Sequence, residues 1–299
     1  MTEDWRGIMP IVATPFDETG ALDEAGLKRL VDFCIEAGAT GLVGPANASE
    51  FSTLSDDERR HWIEIVVAAA AGRVPVVASI TSGHALPAVD LARFAEDAGA
   101  DGVMSMPPHV LRVDRDGCYA FYSQLAAAVK IPICVQNFDA PVGTPMSGDL
   151  LGRMCRELPG VDYIKEETVP EPRQVSRTLA VAGDACKGVL GGKGWIFLLD
   201  EFRRGACGNM PGCHTTDALA AIWAALEAGD EKGGRALFYR MLPLMNYERL
   251  YGIAVYKWIL QRRGLIARTT CRAPVAILDA DDLRELEIIM ADVEPMFSV

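Results

Sequence analysis

The sequence has little positive charge, and it lacks the patterns that mark several classes of protein. Its 299 residues include 29 lysines and arginines against 41 aspartates and glutamates, a net charge of −12. No run of basic residues occurs, which argues against nucleic acid or an anionic membrane surface as a partner. No apolar stretch reaches the roughly 18 residues needed to cross a bilayer, and the acidic N-terminus does not resemble a secretory signal. We therefore expect a cytoplasmic protein that binds neither nucleic acid nor membrane.

The eight cysteines and four histidines show no metal-binding pattern. The cysteines form no C-x-x-C pair, and several fall in apolar segments, as reduced core residues do. There is no H-E-x-x-H motif, and the histidines lack the spacing of metal ligands. These absences favour an enzyme that uses neither a metal nor another cofactor.

Apolar segments bounded by glycine and proline recur roughly every thirty residues along the first two-thirds of the chain. Amphipathic helical patterns separate them, and one begins at the capping box Ser55-Asp-Asp-Glu58. Continuous apolar strands that alternate with helices indicate parallel pairing, and eight such units predict a (β/α)8 barrel. A doubly wound sheet would need a glycine-rich turn after its first strand, which residues 13–17 do not provide. The predicted strands span residues 7–12, 41–44, 74–79, 102–106, 131–136, 161–165, 186–190 and 207–210.

The pattern changes after Gly229, where helical segments follow one another without strands. We predict three helices, over residues 232–248, 253–263 and 280–292. The chain is thus divided into a barrel, residues 1–229, and a C-terminal helical extension, residues 230–299, that packs on the barrel and can contribute to an oligomer contact.

Lys165 ends the sixth predicted strand, an unusual place for one of only seven lysines in a chain with 22 arginines. In the apolar mouth of a barrel the ammonium form loses solvation, so the lysine pKa falls and a neutral amine becomes available. Such an amine can condense with a ketone to form a Schiff base. The alternative is an ion pair with Glu166 or Glu167 and no catalytic role.

Other candidate site residues follow the carboxyl ends of the predicted strands, where barrel enzymes place their working groups. The loop Ala46-Asn-Ala-Ser49 consists of small residues whose N–H groups, with the side chains of Asn47 and Ser49, can hold a substrate carboxylate. A tight connection capped by Ser49 is the alternative. Gln136 is expected to point into the barrel near Lys165, either to orient substrate hydroxyls or to satisfy the barrel's own polar groups.

Three further positions are weaker candidates. Gly191 and Gly192 are expected to leave room for a close ligand. His109 can transfer protons, although a lone histidine in a loop is more often structural. Lys193 is a second amine, but its glycine-rich surroundings predict an exposed loop, so it ranks below Lys165.

Several segments together resemble one family in their order and spacing. They are Pro10–Phe16, Ser49–Glu58, Gly99–Pro108, Ile131–Ile133, Tyr163–Glu166 and Tyr251–Lys257. With these segments nearly the whole chain resembles the dihydrodipicolinate synthase / N-acetylneuraminate lyase family of Schiff-base aldolases and lyases. The resemblance implies a barrel with Lys165 as the Schiff-base lysine and Asn47, Ala48 and Ser49 as a carboxylate clamp. It also implies a homo-oligomer, a dimer or a tetramer.

The sequence departs from the family's usual pattern at three places. The clamp reads Ala46-Asn-Ala-Ser-Glu50 instead of Gly-Thr-Thr-Gly-Glu, and the family's proton-relaying tyrosine falls at Gln136. The arginine with which synthases hold their second substrate would fall near Pro141, but residues 136–152 contain no arginine. These losses argue against a dihydrodipicolinate synthase and an ordinary sialic acid lyase. The pattern resembles instead a subgroup that dehydrates 2-keto-3-deoxy sugar acids such as L-2-keto-3-deoxyarabonate.

The resemblance to that subgroup implies a lyase mechanism through a lysine imine. Lys165 would condense with the C2 ketone, and removal of a C3 proton would let the C4 hydroxyl leave as water. Gln136 and Glu167 complete the predicted catalytic set. The sequence leaves open whether Glu167, His109 or a bound water serves as acid or base. A pyruvate-releasing retro-aldolase, a dihydrodipicolinate synthase and a non-catalytic ligand-sensing barrel are the alternatives.

Overall fold

The computed structural model describes residues 5–139 and 143–299, and in these ranges eight parallel strands form one sheet. The strands are β1 Gly7–Ile8, β2 Leu42–Gly44, β3 Val76–Ser79, β4 Gly102–Ser105, β5 Ile133–Phe138, β6 Val161–Glu167, β7 Gly188–Gly191 and β8 Gly208–Asn209. They are ordered β1-β8-β7-β6-β5-β4-β3-β2. Parallel bridges from Ile11 to Val43 and to Gly212 close the ring beside β2 and β8.

A helix follows each strand, and three more helices complete the described chain. They are α1 Glu24–Glu36, α2 Asp56–Ala70, α3 Ala85–Asp97, α4 Arg115–Ala126, α5 Gly148–Glu157, α6 Glu171–Ala182, α7 Leu198–Arg203, α8 Thr216–Glu227, α9 Glu231–Tyr251, α10 Ile253–Arg262 and α11 Ala280–Val293. The predicted (β/α)8 barrel with a C-terminal helical extension is confirmed. The predicted capping box is present, since the Ser55 hydroxyl accepts from the Glu58 N–H and the Glu58 carboxylate accepts from the Ser55 N–H.

Three strands differ from the predicted bounds in ways that affect the site. β1 ends at Ile8, because Pro10 has no N–H to donate to a ladder, and Ile11 rejoins the sheet only through its bridges. β5 and β6 instead run past Gln136 and Lys165, to Phe138 and Glu167. The polar residues at the ends of these two strands are therefore held by strand pairing and not by loops.

The interior of the barrel is packed with side chains that alternate along the strands. This inner cluster comprises Trp5, Met9, Ile11, Val43, Ala46, Val77, Met104, Cys134, Tyr163, Leu190 and Met210. Trp5 stacks on Tyr163 with ring centroids 4.3 Å apart. Cys134 and Tyr163 lie on the inner face, so Gln136 and Lys165, two residues further along, lie on that face as well. The register of β5 and β6 sets Gln136 directly beside Lys165.

The extension shares an apolar core with the barrel. Ile8 of β1, Trp195 and α8 pack in one cluster with side chains of α9, α10 and α11, among them Phe238, Met241 and Leu286. The boundary predicted at residue 229 falls in the short turn between α8 and α9. The division into a barrel and an extension remains a prediction. No helix in the described residues is long and apolar enough to span a membrane.

Candidate active site

A cavity of about 240 Å³ opens at the carboxyl ends of the strands. Its lining includes Lys165 and Glu167 from β6, Asn47 and Ala48 from the loop after β2, and Tyr256 from α10. Polar groups from the barrel and from the extension therefore line one cavity. Such a mostly apolar space with a few converging polar groups is typical of a binding site for a small molecule.

Lys165 lies on the inner face of β6 and is only 4% exposed. Its Nζ is 3.4 Å from Oε1 of Glu167, whose side chain is also buried. The structure thus brings together the amine and the carboxylate that the sequence had placed at one strand end. This ion pair is compatible both with a catalytic role of Lys165 and with a role limited to ion pairing.

Glu167 is fixed by two donors besides the lysine. The Gln136 side-chain amide donates to Oε2 over 2.6 Å, and the backbone N–H of Lys193 donates to Oε1 over 3.0 Å. Gln136 is 1% exposed, so its amide is used to hold this carboxylate. Of the two roles left open by the sequence, the geometry favours satisfaction of a polar group of the barrel itself.

Protein carboxylates lie beside Gly191 and Gly192, the two positions that were expected to leave room for a ligand. A Cβ on Gly192 would lie 2.1 Å from Cγ of Glu167. One on Gly191 would lie 2.0 Å from Oε2 of Glu201. Glycine is needed at both positions because these carboxylates pass close to the backbone.

In the loop after β2 the clamp residues have different roles. Asn47 and Ala48 line the cavity, and their N–H groups, at the start of the short 3-10 turn Asn47–Ser49, have no partner within the described ranges. Ser49 does not act as the expected donor: it is fully buried, and its hydroxyl donates to the Val12 carbonyl over 2.6 Å. The same hydroxyl accepts from the Ala46 N–H over 3.1 Å. The alternative of a local cap therefore describes Ser49.

His109 is not brought to this cavity. It lines a second one, of about 390 Å³, with Phe51 and Arg59. Burial lowers the pKa of His109, and the charge of Arg59 lowers it further. Within this chain the structure therefore separates His109 from Lys165.

Lys193 is not in an exposed loop, contrary to expectation. It lines the cavity and forms ion pairs with Asp139 at 3.1 Å and with Glu171 at 2.9 Å. Burial lowers the pKa of Lys193, but the bonds to Glu171 and Asp139 outweigh burial and raise it above its usual range. Lys193 is therefore a fixed cation, which leaves Lys165 as the better candidate for a nucleophilic amine.

Sequence reasoning missed two buried carboxyls behind the cavity. Glu166 accepts from the side-chain amide of Asn137 at 2.9 Å and from the Thr168 N–H at 2.8 Å, and burial raises its pKa to about 7. Burial raises the pKa of Glu201 to about 8, and Asn209 donates to it over 3.2 Å. A glutamate within the apolar strand β6 was a signal for Glu166. Glu201 lies in the helical segment α7, which gave no such signal.

The fold and the Lys165–Glu167 pair define a barrel enzyme whose cavity lies at the carboxyl ends of its strands. Residues 4–292 match the model of the dihydrodipicolinate synthetase family, and the chain belongs to this family. The resemblance inferred from the sequence is therefore confirmed.

Similar proteins lie in more than one branch of the family. The chain is 38% identical over 298 residues to an L-2-keto-3-deoxyarabonate dehydratase from Azospirillum brasilense, covering 97% of this chain and 95% of that protein. It is 32% identical over 242 residues to a 4-hydroxy-tetrahydrodipicolinate synthase from Nitratidesulfovibrio vulgaris, covering 80% and 82%. The structure of dihydrodipicolinate synthase from Rhodopseudomonas palustris superposes with a TM-score of 0.90 at 26% identity, covering 98% of this chain and 99% of that one. The predicted enzyme class, a lyase, is confirmed, and the relatives are compatible with both the predicted dehydratase and its alternatives within the family.

Proposed function

We propose that the protein is a Schiff-base-forming hydro-lyase that removes water from a 2-keto-3-deoxy sugar acid resembling L-2-keto-3-deoxyarabonate. The observation that carries this proposal is the buried Lys165 amine 3.4 Å from the Glu167 carboxylate. Both groups line a cavity with Asn47 and Ala48, whose N–H groups have no partner among the described residues. These groups match the amine, base and anion site that the reaction needs. The similarity to the dehydratase of Azospirillum brasilense supports the choice of substrate class.

The substrate's two ends fit different parts of the cavity. The carboxylate accepts from the N–H groups of Asn47 and Ala48, which places the C2 ketone beside Lys165. Attack by Nζ on the ketone carbon and loss of one water give a protonated imine. Because the imine carries a positive charge, it makes the protons on C3 easier to remove.

Glu167 is the group best placed to move the proton in the next step. Its carboxylate takes a proton from C3, and the imine becomes an enamine. The enamine electrons then expel the C4 hydroxyl, which takes the proton from Glu167 and leaves as water. Elimination leaves an imine with a double bond between C3 and C4; loss of one C5 proton and of the C5 hydroxyl proton, with protonation at C3 and C4, converts the C5 alcohol into an aldehyde. Hydrolysis of the imine then releases the semialdehyde product and restores the amine. No carbon–carbon bond breaks, so the reaction needs no phenol at the position of Gln136.

Gln136 and the Lys193 N–H act on Glu167 in this scheme. Both donate to the carboxylate and so fix the position of the oxygens that accept the C3 proton. Gln136 is therefore a positioning residue. His109, in the other cavity, has no part in the scheme within one chain.

A retro-aldolase would use the same lysine but would release pyruvate. The two reactions are separated by product analysis with L-2-keto-3-deoxyarabonate as substrate. We expect semialdehyde formation, followed with an aldehyde dehydrogenase, and no signal from lactate dehydrogenase and NADH. Stoichiometric pyruvate would overturn the dehydratase proposal. Condensation of pyruvate with aspartate semialdehyde would support the synthase; the arginine position that bears on this, near Pro141, lies outside the described residues.

We further propose that the chain assembles into a homo-oligomer, a dimer or a tetramer. Leu86, Val110 and Leu111 are 70%, 72% and 81% exposed, an unusual exposure for large apolar side chains. Val110 also lines the cavity that contains His109. Light scattering should give a mass that is a multiple of 32.3 kDa, and Leu111→Asp should lower it. A wild-type mass of one chain would contradict the proposal.

A cytoplasmic location is proposed from the state of the cysteines. Six buried cysteines are free thiols in the described residues: Cys34, Cys118, Cys134, Cys155, Cys186 and Cys213. Proteins of oxidising compartments seldom keep this many unpaired thiols. Protein isolated without reductant should titrate with eight thiols after denaturation, and fewer than eight would argue against this location.

A further inference from the structure

Tyr256 brings a phenol from the helical extension into the cavity of the barrel. It lies on α10 and lines the same cavity as Lys165 and Glu167. In the part of the chain that the structure describes, its hydroxyl has no hydrogen-bond partner. The side chain of Lys193, which lines the same cavity, is by contrast engaged in two ion pairs. A hydroxyl that lines a cavity and has no protein partner is available to a ligand.

The Tyr256 ring is held in one orientation by buried neighbours. It stacks on the ring of His214, with centroids 4.3 Å apart and planes 17° from parallel. Nε2 of His214 is 3.0 Å from Oε1 of Glu248, and the Trp195 indole N–H donates to Oε2 of Glu248 over 3.2 Å. The ring thus packs on a buried histidine that is itself held beside Glu248, as a recognition group must be supported if its position is to be fixed before a ligand binds.

The hydroxyl is a neutral donor. Burial raises the pKa of Tyr256, and the nearby charges of Glu248 and Glu167 raise it further. A neutral phenol can donate one hydrogen bond and accept another, which suits an alcohol group. For a carboxylate, a neutral phenol is a weaker partner than a positively charged side chain.

The substrate of the proposed function leaves one kind of group unassigned. Its carboxylate is assigned to Asn47 and Ala48 and its ketone to Lys165, but the hydroxyls beyond C3 have no partner. We propose that the Tyr256 hydroxyl hydrogen-bonds a hydroxyl in this distal part of the substrate, so that it selects hydroxylated keto acids over short ones such as pyruvate. The inference rests on the proposed function.

The selection follows from the position of the phenol in the cavity that contains Lys165. A hydroxylated substrate gains a hydrogen bond to Tyr256, whereas a short keto acid has no group to make it and binds without this bond. A site built to hydrogen-bond a substrate hydroxyl rejects analogues that lack it. Tyr256 therefore contributes to specificity and not to imine formation.

The test compares Tyr256→Phe with the wild type and with Tyr239→Phe, a control on an exposed tyrosine of α9. Two quantities are measured: kcat/KM for L-2-keto-3-deoxyarabonate, and the concentration of pyruvate that half-saturates borohydride trapping on Lys165. For Tyr256→Phe we expect kcat/KM to fall roughly tenfold, as loss of one hydrogen bond predicts, with pyruvate trapping unchanged. Tyr239→Phe should match the wild type in both.

The possible outcomes distinguish a failure of this inference from a failure of the proposed function on which it rests. An unchanged kcat/KM in Tyr256→Phe would overturn the inference while the proposed function stands. An equal loss of pyruvate trapping would show that the ring only supports the structure, which also overturns it. If the wild type forms no adduct with either keto acid, the proposed function fails, and the inference fails with it.

Discussion

At the scale of single residues, the candidate site consists of ionisable side chains that are buried at the wall of a cavity. Lys165 and Glu167 are buried side by side, and Gln136 supplies the short hydrogen bond that fixes the carboxylate. Lys165 could be selected from the sequence because a lysine at the end of an apolar strand is unusual. The roles of Ser49, Gly191 and Gly192 could not be selected, because they depend on which atoms fill the space beside them.

Glu167→Gln should separate imine formation from proton transfer. The amide keeps the size of the side chain but cannot accept the C3 proton, so kcat should fall by about 10²- to 10⁴-fold. Adduct formation with pyruvate should persist, as Lys165 is untouched. Glu64→Gln, at an exposed site on α2, is the control. A kcat for Glu167→Gln within a few-fold of the wild type would remove Glu167 from the mechanism.

Glu201 should make the wild type less stable as pH rises. Its pKa is about 8 in the folded protein against an ordinary value of 4.5, so between these values the folded state holds a proton that the unfolded state has lost. Its contribution to stability is present below pH 4.5 and is lost as the pH rises toward 8, with a slope of at most about 1.4 kcal/mol per pH unit. Glu201→Gln mimics the neutral form and should lack this slope.

Urea unfolding of both proteins at pH 6 and pH 8 tests this expectation. The difference in unfolding free energy should move in favour of Glu201→Gln at the higher pH. A difference that stays constant between the two pH values would show that Glu201 does not titrate in this range.

At the scale of elements, the extension holds the clamp loop through a buried ion pair. Lys257 of α10 pairs with Glu50, which follows the turn Asn47–Ser49 with a left-handed φ of 58°, and both side chains are fully buried. Glu50 also accepts from the N–H groups of Arg272 and Ala273, over 2.7 Å and 2.6 Å. The sequence showed the helical pattern of α10 but not this contact, because the partners are about two hundred residues apart.

Lys257→Met should therefore destabilise the protein strongly. It leaves the Glu50 carboxylate buried without its cation, which costs about 3–5 kcal/mol. The double variant Glu50→Gln with Lys257→Met should recover part of this loss, and Lys232→Met, at an exposed position, should cost little. Urea unfolding of the three variants measures these differences. Equal stability of Lys257→Met and the wild type would show that the pair does not hold the loop.

At the scale of the whole molecule, the alternation of strands and helices was sufficient to predict the barrel. The prediction succeeds because each parallel strand is covered on both faces, so that its sequence is a continuous apolar segment. Strand ends were less predictable: β5 and β6 continue through polar residues because pairing between Gln136 and Lys165 holds them in the sheet. Tyr256 could not be placed from the sequence, since it reaches the cavity only through the packing of the extension.

A chain cut after residue 229 should not fold into a barrel. Ile8, Trp195 and α8 would lose the apolar partners that α9, α10 and α11 provide. We expect the shortened chain to lack cooperative thermal unfolding by circular dichroism and to form no adduct at Lys165. A folded, trapping-competent fragment would contradict this expectation and would make the barrel an independent domain.

The most direct test of the account is borohydride reduction in the presence of pyruvate or L-2-keto-3-deoxyarabonate, followed by intact mass and peptide mapping. We predict one adduct per chain, on Lys165, with none in Lys165→Arg and an unchanged yield in Lys187→Arg, a control on a partly exposed lysine that pairs with Asp162. No adduct, or an adduct on Lys193, would contradict the Schiff-base mechanism. The Lys165–Glu167 pair would then be only an ion pair of the barrel.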